Sequence, residues 1–216
     1  MTRMRLPKSS PGRGFKVHIP AEEIHSQALL SFEETLLTKP SGFDPGAWLY
    51  LPPYYTEYRY VLGTAGEKPL ICVGLNPSTA RPGALDNTLK SVQRVAGHNG
   101  FDSFLMMNLY AQRATRPGDM DRELSDFLHR ENLKAFHYLL GKTGTVWAAW
   151  GAVMETRGYL KACMADFVKA GTQAGARWYT AGKRTKKGHP HHPLYLRRDS
   201  ALEPFDIAAY LADLKG

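Results

Sequence analysis

A short apolar segment recurs along the chain, and each time it stops at a polar or glycine tip and gives way to a helical pattern. In Ile71-Cys-Val-Gly-Leu-Asn-Pro-Ser-Thr-Ala80 an apolar-rich run passes Gly74 and Leu75 and is cut by Asn76, Pro77, Ser78 and Thr79. That is how a buried strand ends in a loop. Phe104-Leu-Met-Met-Asn108 repeats the design, residues 145–150 make a third strand ending at Gly151, and 177–180 a short fourth. Helical patterns separate them: 86–96, with Leu89, Val92, Val95 and Ala96 on one face and Gly97 and Gly100 closing it, then 124–140 and 155–170, with a last helix at 204–214. Apolar strands alternating with helices predict an α/β fold, a three-layer sandwich around a central, mainly parallel sheet. Right-handed crossovers bring the strand tips to one edge, which is where open α/β sheets bind ligands.

Upstream, residues 21–37 read as a helix with Glu22 and Glu23 in its first turn and Leu29, Leu30, Phe32, Leu36 and Leu37 as its apolar set. Residues 58–62 and 70–75 are expected to form a hairpin around Gly63-Thr-Ala-Gly-Glu-Lys68, with the second strand central. Residues 1–16 carry Arg3, Arg5, Lys8, Arg13 and Lys16 without an acid and read as a basic tail. The expected organisation is a tail plus helical extension over 1–45 and one α/β domain over 46–216.

The balance of 28 Lys+Arg against 20 Asp+Glu gives a net charge of +8. It favours an anionic partner, DNA or another nucleic acid first and a nucleotide second. Cys72 lies in an apolar run, and neither it nor Cys163 has a CxxC partner, which predicts a reduced, cytoplasmic setting. No apolar stretch approaches the roughly 20 residues of a membrane helix, nor is there a signal-type apolar segment at the N-terminus, so no membrane partner is expected. A monomer is the default.

Three loops carry groups with chemistry: Asn76 with Ser78 and Thr79, Asn108, and the segment holding His189, His191 and His192. Singly these are ordinary turn or capping residues, but a parallel sheet makes them converge. Asp86 either caps the following helix or serves as a base. Between 176 and 198, Arg177, Lys183, Arg184, Lys186, Lys187, Arg197 and Arg198 occur with no acid and with Trp178, Tyr179 and Tyr195 interleaved. Such a segment suits a phosphate backbone and stacked bases. No metal is expected at His189-Pro-His-His192, because Pro190 and Pro193 restrict the backbone and no Cys or acidic ligand is near in sequence. The phosphate-binding, dinucleotide-binding and nucleophile-elbow motifs are all missing, and no cofactor is expected.

Four blocks carry a resemblance: Leu75-Asn-Pro-Ser-Thr-Ala80, Asp86-Asn-Thr88, Met107-Asn-Leu-Tyr-Ala-Gln-Arg-Ala-Thr115 and Gly188-His-Pro-His-His-Pro-Leu-Tyr195. Together they resemble a bacterial and phage domain family of unknown function, over about residues 55 to 198. The same blocks are similar to the uracil-DNA glycosylase superfamily. Gly74-Leu-Asn-Pro-Ser78 resembles its Gly-Ile-Asn-Pro-Gly loop, residues 104–108 its apolar strand ending in a pyrimidine-reading Asn, and His192-Pro193 with Leu194 its His-Pro-Ser-x-Leu loop. The resemblance implies a uracil-DNA-glycosylase-like fold and hydrolysis of an N-glycosidic bond. It casts Asn76 and His192 as catalytic residues and Asn108 as the group that reads the base; Asp86 has no counterpart in that superfamily and joins the catalytic candidates only through the reading of it as a base. From the residues themselves, Ser78, Thr79, Arg113 and Tyr195 join Asn108 as candidate substrate contacts, and the acid-free charge of their segment makes Lys183, Arg184, Lys186, Lys187 and Arg197 candidate nucleic-acid contacts. Ser78 stands where that superfamily has Gly, and the Ser of its last loop is missing. A non-catalytic DNA or modified-nucleotide binding module, or an enzyme on free nucleosides or nucleotides, fits the same residues.

Overall fold

The computed structural model describes residues 29–214; the basic segment 1–16 and the first part of the helical pattern at 21–37 lie outside the described residues. What is described of that pattern is α1 (Phe32–Leu37). A capping box opens it: the Glu34 N–H donates to the Ser31 hydroxyl, and the Ser31 N–H donates to the Glu34 carboxylate. The buried Glu131 carboxylate accepts from the Phe32 N–H at 3.0 Å and so docks α1 onto the domain.

Burial raises the Glu131 pKa, but the Phe32 N–H and the Lys134 and Arg130 side chains outweigh it and hold the carboxylate below the ordinary glutamate value. A carboxylate depressed in the folded state stabilises above its unfolded pKa, and that contribution is lost as pH falls through the folded one. Glu131→Gln is therefore expected to cost about 1–2 kcal/mol at neutral pH. Thermal unfolding across a pH series should show the gap from the parent closing on the acid side of the ordinary glutamate value. A gap that stays constant with pH would refute the assignment.

The remaining strands are β1 (Trp48–Leu51), β2 (Val61–Thr64), β3 (Pro69–Gly74), β4 (Ser103–Asn108), β5 (Thr145–Ala148), β6 (Arg177–Ala181) and β7 (Leu202–Pro204). The helices are α2 (Asn87–His98), α3 (Asp126–Leu140), α4 (Tyr159–Gln173) and α5 (Ile207–Asp213). One seven-stranded sheet has the order β1-β2-β4-β3-β5-β6-β7. β4, β3, β5 and β6 are parallel, while β1 and β2 on one flank and β7 on the other pair antiparallel.

Strand alternation splits the core. Leu70, Cys72, Phe104, Met106 and Trp147 face α2, whose Leu89, Val92, Val95 and Ala96 cover them. Ile71, Val73, Leu105, Met107, Val146 and Ala148 face the opposite side, packed with Phe32, Phe136, Phe167 and Tyr210 from the other helices. At about 25 cal/mol per Å² of apolar area, these two buried layers supply the main drive to fold.

The expected hairpin does not form. β4 lies between β2 and β3, and β2 pairs with β1 and β4. The connection at 65–68 instead crosses the start of β4, where the Asp102 carboxylate accepts from the Glu67 and Lys68 N–H groups at 2.9 and 3.0 Å. A turn-rich hexapeptide between two apolar runs fixes the reversal, but a third strand entering from elsewhere in the chain takes the intervening place. β3 is central, as its uninterrupted burial requires. From β3 the chain turns through α2 to β4 on one side, and from β4 through α3 to β5 on the other. The switch point thus falls between β3 and β5, the position at which such sheets open a crevice.

Candidate functional site

A cleft of about 670 Å³ opens at that switch point, a volume suited to a small-molecule-sized ligand. The tips of β3, β4 and β5, the N-terminal turn of α2 and the loops after β4 and β6 line it. Asn76, Asn108 and His192 all reach it, so loops far apart in sequence meet there.

Asn108 ends β4 and points to the α2 side of the sheet, next to Gly74 in the parallel register. A Cβ at position 74 would sit 2.8 Å from Asn108 Oδ1, so the glycine leaves the amide its space. Asn132 on α3 holds the strand end from behind, its Nδ2 donating to the Asn108 carbonyl at 2.8 Å. The Asn108 side chain has no such support. Its residue is 1 % exposed, and both Oδ1 and Nδ2 are buried without a hydrogen-bond partner among the described residues. Leaving a buried polar group unmatched costs about 1–3 kcal/mol, which is tolerable where a ligand completes the bonds.

Asn76 begins the wall after β3. Its Nδ2 donates to the Ala114 carbonyl at 2.7 Å and to Pro77 O at 3.2 Å, tying two loops together. The donor half of the amide is thereby spent, and Oδ1 is the atom left to accept a hydrogen bond. The Asp86 carboxylate caps α2 through the Leu89 N–H at 2.8 Å, and its second oxygen accepts from the Ser78 hydroxyl at 2.5 Å. Both Ser78 and Asp86 line the cleft, and exposed Thr79 stands beside them.

Arg113 is placed differently from a substrate contact. It is buried, donates to the carbonyls of Ser78 and Ala80 and to the Tyr50 hydroxyl, and lies over the Tyr55 ring. Burial lowers its pKa. Its guanidinium shapes the 78–80 loop from beneath, outside the cleft lining.

The opposite wall carries the histidines. His192 Nδ1 accepts from the Leu194 N–H at 3.3 Å, capping the 3-10 turn Pro193–Tyr195. An accepting Nδ1 fixes the tautomer with the proton on Nε2, which makes that atom a donor. Burial lowers the His192 pKa, Asp86 opposes that in part and His191 adds to it, so the ring is neutral at neutral pH. Gly151 beneath it has φ +71° and ψ −173°, and a Cβ there would lie 3.2 Å from His192 Cβ. His189 is structural: fully buried, it meets the Tyr210 hydroxyl at 2.7 Å and Glu155 at 3.4 Å. His191 Nδ1 donates to the Lys183 carbonyl at 3.0 Å. Tyr195 stands exposed at the rim beside both cleft histidines.

Lys183, Arg184, Lys186, Lys187 and Arg197 are exposed on the segment that forms this wall. Two are neutralised by carboxylates outside the acid-free window: Lys187 by Glu155 at 2.8 Å and Arg197 by Asp199 at 3.1 Å. Arg184 lies over the Phe205 ring. Among the described residues no group of three or more His, Cys, Asp or Glu is placed to hold a metal ion, and no helix is long and apolar enough to cross a membrane.

The sequence did not single out Arg59, Asn132, Gly74 or Gly151 as site residues. Arg59 had a signal, a lone charge within the apolar run Tyr58-Arg-Tyr-Val-Leu62. Residues 59–194 match the family described as Protein of unknown function (DUF1643), and the chain belongs to that family. No curated protein and no solved structure matches the chain.

Proposed function

We propose, from this cleft, that the protein binds a nucleobase through Asn108 and hydrolyses the N-glycosidic bond of a modified or damaged base. The observation that carries the reading is the unpartnered Asn108 amide on the cleft wall. One donor and one acceptor on a rigid strand tip match the acceptor and donor edge of a pyrimidine. The order Asn76, Asn108, His192, and their similarity to the uracil-DNA glycosylase superfamily, support the chemistry and a fold of that kind.

In this mechanism the bond from the sugar C1′ to the base nitrogen breaks, and its electron pair goes to the base. The His192 Nε2–H donates to the base oxygen where that charge gathers. Electrostatic help of this kind is worth about 10²–10³ in rate. Asn76 Oδ1 accepts from a water that adds to the cationic sugar carbon, and the released proton leaves to the base or solvent. Asp86 places negative charge on the wall near that carbon. Extruding the base from a duplex costs a few kcal/mol, which the exposed basic side chains and Tyr195 offset by holding backbone and neighbouring bases.

The test is base release from DNA containing uracil, hypoxanthine or oxidised pyrimidines, read as alkali-labile sites. Release should fall by about 10²–10³ in His192→Ala and drop to background in Asn76→Ala. An intact panel refutes hydrolysis; tight, salt-sensitive binding without product would identify a binding module instead. One observation favours a second reading, action on free nucleosides or nucleotides. Lys187 and Arg197 already have carboxylate partners, so the basic segment offers less charge to a nucleic acid than its composition suggests.

A further inference from the structure

Arg59 is 2 % exposed and lines the cleft. It lies just before β2, the strand that pairs with β4, which ends in Asn108. Its Nη1 donates to the Ala80 carbonyl at 2.9 Å, and its Nε is buried with no hydrogen-bond partner. Neither Arg59 nor Arg113 forms an ion pair among the described residues. The two guanidiniums share the Ala80 carbonyl, and their charges oppose each other. The carboxylate that acts on Arg59 at longer range is Asp86, whose oxygens are already occupied by the Leu89 N–H and the Ser78 hydroxyl.

The two arginines differ in what completes them. Arg113 has two carbonyls, a hydroxyl and an aromatic face, and stays out of the cleft. Arg59 has a single carbonyl and borders the cleft. A buried cation without a counter-ion is strongly disfavoured unless its remaining donors are met. A planar guanidinium with free donors matches an oxyanion.

We propose that Arg59 anchors an oxyanion, a carboxylate or phosphate, carried by a ligand that enters the cleft with the ring edge read by Asn108. The class is an acidic pyrimidine, either a base bearing a carboxylate or a mononucleotide bearing a phosphate. This rests on the nucleobase reading and adds the charge of the ligand to it. Because Arg59 is recessed, the anion has to belong to the molecule that enters, rather than to a phosphodiester chain passing the mouth.

Calorimetric titration tests the idea with matched pairs: uracil against orotate, and uridine against uridine 5′-monophosphate, with pyrophosphate and a thymidine oligonucleotide as further probes. In the parent protein one charged member should bind about tenfold to a hundredfold more tightly than its neutral counterpart. The pair that responds distinguishes the ring carboxylate from the sugar phosphate. Arg59→Met should reduce that ratio to about one, and Arg59→Lys should retain part of it. A purely structural arginine would lower the melting temperature in both variants and leave the ratio unchanged. Equal binding of charged and neutral members by the parent overturns the proposal, as does the oligonucleotide outcompeting every small anion or the absence of any anion binding, and these need no variant to fold. Pyrophosphate binding that depends on Arg59, with no pyrimidine bound, would instead retain the anchor and reject the nucleobase reading.

Discussion

Asn108→Leu is expected to make the unliganded protein more stable and to abolish pyrimidine binding. Leucine has a similar shape, and Gly74 leaves room beside it. The change removes two buried polar atoms that have no partner. Relief of that mismatch should raise the unfolding free energy by about 1–3 kcal/mol, visible as a higher denaturant midpoint with an unchanged slope. Binding of uracil or uridine by calorimetry should disappear in the same variant. The opposite signs of the two effects separate a ligand-reading amide from a structural one, whose loss would lower stability. A less stable Asn108→Leu protein that still bound pyrimidines would remove the central support of the proposed function.

Gly151→Ala should damage the opposite wall. With φ +71° and ψ −173° the residue occupies a region that is essentially glycine's alone. Alanine there costs about 1–3 kcal/mol in strain, and its Cβ would press on His192 Cβ at 3.2 Å. The His192 segment has to move outward, and greater solvation should raise the imidazole pKa back toward its ordinary value, because burial is the main cause of the depression. An NMR titration of the His192 ring follows that shift directly. The sign for the parent is fixed in the same way. A histidine held low binds fewer protons folded than unfolded, so stability is full above the ordinary histidine value and falls as pH drops below it. In Gly151→Ala that acid-side decline should flatten, and base release should approach the level of His192→Ala. A His192 titration identical to the parent's would show that Gly151 does not set the position of the ring.

Strand tips were the legible part of the site. Asn108 could be read from an apolar run closed by an amide, and Asp86 from its place before Leu89, where it does cap α2. Whether an amide is satisfied was not legible, since the partner of Asn76 is the Ala114 carbonyl, 38 residues away. The strand order was hidden for a similar reason. The apolar runs on either side of the turn at 63–68 contain nothing to say that β4 will insert between them. Arg113 and Arg59 look alike in sequence, each one charge in an apolar setting, and only the loop folded over them separates support from site. The basic segment read as uniformly cationic because its acidic partners lie outside it, Asp199 just past its end beside Arg197 and Glu155 far upstream, brought to Lys187 by the fold.

The C-terminal helix has a bearing on how the molecule can be divided. Tyr210 on α5 meets His189, accepts the Trp150 indole N–H at 3.1 Å and contacts Met154 Sδ, so it buttresses the cleft from a position well past the last residue that lines it. Tyr50 on β1 does the same at the other end of the chain through Arg113. Both fall outside the segment 59–194 that defines the family. A fragment trimmed to that segment would keep nearly every cleft side chain and lose the two outer struts that aim them, so the smallest unit able to hold the site extends at least from β1 to α5.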